Sequence, residues 1–547
     1  MQSLCADLVL TDTNVITICD AAPRAEAIAI RGDIILATGS AAEIAPLIGD
    51  DTEVLALHGK SVVPGFIDSH THMVSMGNFL FSPKRINAAA ELYPSIRDLQ
   101  RAIRTEADGT SEGEWIGGVN LDPNGLEEKR WPTRYELDEG AMHHPVVIYL
   151  RGFHACVANS MALERAGINR DTPDPEGGVI ERDAETGEPT GVLRDVSSIR
   201  EVLPIPELED FKEGLGLAND LYLQLGITSQ GDAGAFPNRP EAYRAYQEAV
   251  AEGRLKVRTY LMIREAFYRE MDLGLRTGFG NNRLRLGAVK IFVDGSIQAF
   301  TCAFDEPYVT RDTRGMEGLQ YSVDELNALV EEVHALGYQV AMHAQGDCGI
   351  RIAVDAIEQA MRKHPRPDPR HRIEHTLCPT LDDLKRMKEL GIIPNFYVFH
   401  PWFWGDQHIN NFIGAERAAR MTPVKTALKL GLRPCAHSDC PVCTPNDPVW
   451  PSNPLWGMAC ATTRKTRSGI DNGPEERISP EEALCMYTLN GAYATFEEDI
   501  KGSIEPGKLA DLVVLGDDPL AVDTWEIRNI PVERTIIGGE TVFLRDA

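Results

Sequence analysis

The sequence predicts an α/β protein, a (β/α)8 barrel with a composite β-sandwich built from its two ends and a subdomain inserted after the first barrel strand. Three observations predict it. Eight strand candidates recur along the chain: VVPGFIDSH, ITSQGD, KVRTYLM, LGAVKIFVDG, YQVAMH, HRIEH, IIPNFYV and LRPCAHSD. Helical patterns separate most of them, as a parallel barrel requires. Four of the runs carry a polar residue at or near their end, where such a barrel gathers its chemistry. An open doubly wound sheet would more usually have a glycine-rich phosphate turn after its first strand, and none is present.

In chain order, residues 1–60 alternate in short strands (DLVLTD, EAIAIRG, DIILATG, EVLALHG), and so does the tail (DLVVLG, VERTIIGGETVFL). Neither end can build a large core alone, so residues 1–60 and 497–547 are expected to pair into one sandwich. The barrel then occupies 61–496. The gap between its first two strands, about 77–205, exceeds any usual βα connection and reads as the inserted subdomain over the barrel mouth. A helix near 207–225 stops at Gly226 and leads into ITSQGD. Ser322 and Glu325 form a capping box, Leu326, Leu329, Val330, Val333 and Leu336 share one helix face, and Gly337 ends the helix before YQVAMH. Thr380 to Leu390, followed by Gly391, and PVKTALKL, followed by Gly431, repeat that unit.

Composition narrows the function classes. The chain has 547 residues, 43% hydrophobic and 25% charged, with a net charge of -28. Such acidity argues against nucleic-acid or anionic-membrane partners, which need a positive surface. The first residues read as a strand and not a signal peptide, and no uncharged apolar run approaches the roughly 20 residues of a membrane span. The 11 cysteines are an odd, scattered set, which suits a reducing cytoplasm. Cys440 and Cys443 form one C-x-x-C pair with no second pair at zinc-ribbon spacing, and packing is the expected role.

His70 and His72 stand two apart at a strand end, so both imidazoles can reach one ion. Lys290 lies in GAVKIFVDG with apolar neighbours, where a free ammonium is costly. It is either paired with a carboxylate such as Asp294 or carbamylated, which would turn the cation into an anionic oxygen donor. His343 and His375 close two further strands. Asp439 closes the eighth, where a carboxylate can bind metal and take a proton from water. The aromatic run Phe396, Tyr397, Phe399, His400, Trp402, Phe403 and Trp404 follows the seventh strand, either as core or as a wall for a bulky substituent. His58, His143, His144, His334, His364 and His408 lack such a setting and are read as structural.

These stretches resemble the amidohydrolase superfamily, in the branch of N-substituted formamide deformylases and YtcJ-like proteins (amidohydrolase family 3). PGFIDSHTH is similar to the first metal motif, GAVKIFVDGS to the carboxylated-lysine strand, MHAQGD and RIEH to the later histidines, and SDCPV to the catalytic aspartate. Likeness extends through WPTRYELDE, NSMALERAGI, LGITSQGDAG and the C-terminal EALCMYTLNGAYATFEEDIKGSIEPGKLADLVVL. The resemblance implies a metal-dependent hydrolase of non-peptide C–N bonds, with two divalent ions, zinc the expected metal. His70, His72 and Asp439 would hold one ion, His343 and His375 the other, with N-carboxylated Lys290 bridging and Asp439 shuttling protons. A deaminase, cyclic-imide hydrolase or lactonase on the same centre, or a non-catalytic barrel, are the alternatives. The implied partner is a small molecule with an aromatic or bulky apolar group, and a homodimer is left open. Three departures bear on substrate: LRGFHACVANS with Phe153 before His154, His437 ahead of Ser438-Asp439, and GSIQAFTCAF after the lysine strand. Substrate contacts are expected from Phe153 and His154 in the insert and from His400, Trp402 and Trp404 in the aromatic run.

Overall fold

In the computed structural model, the described residues are 5–80, 85–175, 177–196, 198–204, 206–234, 239–269, 274–440 and 452–546. Eight parallel strands form one sheet: β1 (Phe66–Thr71), β2 (Ile227–Asp232), β3 (Arg258–Arg264), β4 (Leu284–Phe292), β5 (Val340–Ala344), β6 (Arg372–His375), β7 (Ile393–Phe396) and β8 (Cys435–Ala436). Each pairs with its neighbour in sequence, and β8 meets β1. There the Asp439 amide donates to the His70 carbonyl at 3.1 Å, and His72 to that of Cys440 at 2.7 Å. The chain is thus an α/β barrel with further sheets.

The helix Val323–Ala335 shows why the sequence folds this way. Ser322 Oγ accepts the Glu325 amide and the Glu325 carboxylate accepts that of Ser322, so two orphan donors of the first turn are satisfied. Leu326, Val330 and Val333 are buried, and Gly337 takes a left-handed φ of 94° that turns the chain into β5.

The run VVPGFIDSH is two strands, not one. Ser61–Pro64 pairs antiparallel with Leu512–Leu515 in a six-stranded sheet, whereas Phe66 begins the barrel. Gly65 makes the break possible, because a Cβ there would sit 2.1 Å from Thr228 Oγ1. A four-stranded sheet of N-terminal strands packs on that six-stranded one, and Leu10, Ile28, Val62, Leu512 and Ile536 meet between them.

Between β1 and β2 lies another six-stranded sheet, from Arg85–Asn87 to Pro189–Arg194, with its own core of Ile103, Ile116, Leu137, Ile148 and Val157. Its strands Val146–Leu150 and Ala155–Ala158 are antiparallel, and the tight turn joining them carries Phe153 and His154. Among the described residues no cysteine is in a disulfide, and no helix is long and apolar enough to cross a membrane.

Candidate active site

Strand ends bring the predicted residues together at the C-terminal rim. His70 is fully buried, and its Nδ1 bonds a carboxylate oxygen of Glu374. A carboxylate accepts, so Nδ1 carries the proton and Nε2 keeps its lone pair. That Nε2 faces Asp439 Oδ1 at 3.3 Å and Lys290 Nζ at 3.4 Å. Glu374 is held in turn by Arg372 at 2.8 and 3.0 Å and by Asn395 Nδ2 at 2.7 Å. Burial pushes its pKa up, but Arg372 and then His70 outweigh burial and keep the carboxyl well below the usual range.

His72 Nε2 stands 3.5 Å from Asp439 Oδ1. His343 Nε2 donates to the Gly295 carbonyl at 2.8 Å, since a carbonyl can only accept, and Nδ1 keeps its lone pair. The rings of His343 and His375 lie 4.5 Å apart. His375 Nδ1 is buried without a hydrogen-bond partner and is 4.0 Å from Asp439 Oδ2. His375 and Asp439 have left-handed φ of 69° and 50°, strain of the kind held in place at functional sites. Burial would raise the Asp439 pKa, but His375 and His70 hold it well below the carboxylate range. Asp68 ties β1 to β8 by accepting from the Ser438 amide at 3.0 Å and from its hydroxyl.

Lys290 is fully buried, with Nζ 4.4 Å from the Phe292 ring centre, and burial pulls its pKa down to about 8. Among the described residues, donor atoms of His70, His375 and Asp439 all lie within 4.8 Å of one another. Imidazole nitrogens beside an ionised carboxylate are a donor set fit for a divalent cation.

The inserted sheet reaches this centre through His154. Its Nδ1 bonds Asp195 Oδ1 at 2.8 Å, Asp195 Oδ2 accepts from Thr301 Oγ1 at 2.8 Å, and its ring is 5.1 Å from that of His343. Phe153 turns with a φ of 63° and its ring lies 5.7 Å from Tyr149, within the insert. The aromatic run divides. Trp402 packs against Trp456 at 5.2 Å and Trp525 at 6.1 Å, in the core and not toward the histidines. His400 and Trp404 instead flank Tyr397, at 4.9 and 5.9 Å, and Tyr397 stacks on His437. Cys440 is buried beside the rim, and Cys443 lies outside the described residues.

Sequence reasoning missed Glu374 and Asp195. Arg372 and Glu374, two apart in the strand Arg372–His375 and so on one face, were a readable sign of a buried pair. Asp195 has no such sign, because its partner His154 is 41 residues away.

The amidohydrolase family profile matches residues 53–543. The chain belongs to the amidohydrolase family. It is 32% identical to the N-substituted formamide deformylase of Arthrobacter pascens, over 97% of each chain. It is 30% identical to the putative amidohydrolase YtcJ of Bacillus subtilis, over 96% of this chain and 97% of that one. Its fold superposes on an uncharacterized metal-dependent hydrolase of Pyrococcus horikoshii with a TM-score of 0.74 at 26% identity, covering 94% of this chain and 99% of the other. Membership of this family makes the protein a metal-dependent hydrolase of non-peptide C–N bonds.

Proposed function

We propose that this amidohydrolase cleaves an amide-type bond in a small molecule, with two divalent ions, zinc the first candidate, held by His70, His72, Lys290, His343, His375 and Asp439. The observation that carries the reading is the approach of His70, His375 and Asp439 within 4.8 Å beside a buried lysine amine. Bound ions would supply an acidified water and polarise the substrate carbonyl. His70, His72 and Asp439 would hold one ion, and His343 and His375 the other.

Lys290 would span the two once carboxylated. Its neutral amine adds to carbon dioxide, an N–C bond forms and one proton leaves. A lysine whose pKa burial lowers to about 8 keeps part of its amine uncharged near neutrality, which favours that step. Asp439, held ionised, takes the proton of the attacking water and returns it to the leaving nitrogen. His154, oriented by Asp195, meets the substrate from the insert, and His400 and Trp404 back the wall formed by Tyr397.

Two experiments test this reading. Elemental analysis should find close to two divalent ions per chain, lost with activity on chelation, and one ion or fewer in active enzyme overturns the binuclear centre. Lys290→Ala should be inactive and regain part of its activity when a short carboxylic acid is supplied. Full activity without the acid overturns the lysine's role. The deformylase likeness makes N-substituted amides the first class to assay. Ammonia or a hydroxy acid as the product would point to a deaminase or a lactonase, and cleavage within a ring to a cyclic-imide hydrolase.

A further inference from the structure

His437 takes no part in the arrangement described so far, yet it lies in the middle of it. The ring is fully buried, and neither Nδ1 nor Nε2 has a hydrogen-bond partner. A buried imidazole with both nitrogens unmet forfeits its hydration without return, unless something absent from the bare chain meets it. Its position is informative. Ring centres of His70, His375 and His437 form a near-equilateral triangle with sides of 4.9, 4.9 and 5.0 Å. Two imidazoles on one tetrahedral ion, with metal–nitrogen bonds of about 2.0–2.1 Å, put their ring centres about 5 Å apart, the separation of His437 from His70.

His437 also stands two residues before Asp439, in the same segment just past the end of β8. Its nitrogens fall outside the 4.8 Å donor set, as do those of His72 and His343. By that measure His437 ranks with the other outer residues of the centre.

We propose that His437 is a further metal ligand, giving a ring nitrogen to the ion that His70 and Asp439 hold. The proposal rests on the metal-centre reading above. Stacking on Tyr397, at 5.5 Å and 24°, accounts for the plane of the ring but leaves its nitrogens unused.

The test is a zinc-loaded crystal of the intact protein measured at the zinc absorption edge, together with His437→Phe, which keeps the stacking and removes both nitrogens. A His437 nitrogen about 2 Å from an anomalous peak is expected. The Phe variant should bind one of its ions about 10–100-fold more weakly in chelator competition, the range seen when a ligand's support is lost. Its cobalt-substituted form should also have an altered visible spectrum. Zinc on His70 and Asp439 with His437 beyond bonding reach overturns this proposal alone. So do unchanged affinity and spectrum in a folded Phe variant. No zinc at all in the wild-type crystal overturns the metal-centre reading itself. The crystal decides the question even if the Phe variant does not fold.

Discussion

Where the barrel strands begin, the buried pairs Arg258–Asp511 and Glu497–Lys501 set charge against charge. Arg258 bonds Asp511 at 2.6 and 2.9 Å, joining β3 to the sandwich, and Glu497 holds Lys501 at 2.8 Å while Lys501 reaches Ser229 Oγ at 3.1 Å. Where the strands end, His375 Nδ1 and both nitrogens of His437 are buried and unmatched, and Lys290 has a nearby imidazole nitrogen in place of a carboxylate. The same interior therefore spends its polar groups in two ways. One end joins parts of the fold through buried ion pairs. The other carries the cost of unpaired groups, which is what a site reserved for a cation requires.

Substitutions at the rim should act on turnover, and those at the floor on stability alone. The largest effect is expected for Asp439→Asn, which keeps volume and an oxygen but removes the base. Turnover should fall by about 10²–10⁴-fold or more while most of the metal stays bound. Near-normal turnover in a metal-loaded variant would mean that another group is the base. Glu374→Gln comes next, because it releases His70 from its fixed tautomer. A loss of about 10–100-fold in metal affinity is expected, read by chelator competition. Unchanged affinity would mean that the Glu374 contact only packs β1 against β6.

How much of this was legible follows the same division. The strand-end ligands stood out because each closes an apolar run, and a parallel barrel makes such ends converge. Glu374 was legible only through its spacing from Arg372 on the same strand, because its other partners, His70 and Asn395, sit on two different strands. The Ser61–Pro64 and Phe66–Thr71 break was hidden because apolar residues run through both halves, and the close approach of Thr228 to Gly65 shows only in the fold. Trp402 and Trp404 differ by two residues and face different neighbours, because the short helix His400–Phe403 rotates them apart. The His154–Asp195 pair depends on the inserted sheet's own register, which periodicity does not fix.

Asp195→Asn probes that pair and should act less strongly than either rim change. The amide can still meet Thr301 but no longer gives His154 Nδ1 a charged acceptor. A drop of about tenfold in kcat/KM, with metal content unchanged, is the expected result, since misplacing a group by 1 Å costs up to about 10²-fold. His154→Ala should then lose no more when combined with Asp195→Asn, as expected for residues acting as one unit. Full additivity would show that Asp195 serves something other than His154.

The smallest effect on turnover, none at all, is expected for Glu497→Gln at the floor, and here pH provides the sharper test. Burial raises the Glu497 pKa, but Lys501 and then Arg285 more than offset it, leaving the carboxyl below its ordinary value of 4.5. Thr495 Oγ1 adds a hydrogen bond at 2.8 Å. A carboxyl depressed by folding stabilises the native state above its unfolded pKa, and that contribution disappears as pH falls through the folded pKa. Wild type should therefore melt above Glu497→Gln by a constant margin between pH 6 and 8, and the margin should shrink below about pH 4.5. The Gln variant leaves Lys501 buried without its anion, which is why the margin at neutral pH should be clear. Equal melting temperatures at neutral pH would mean that Ser229 suffices to hold Lys501, and that the floor is no better paired than the rim.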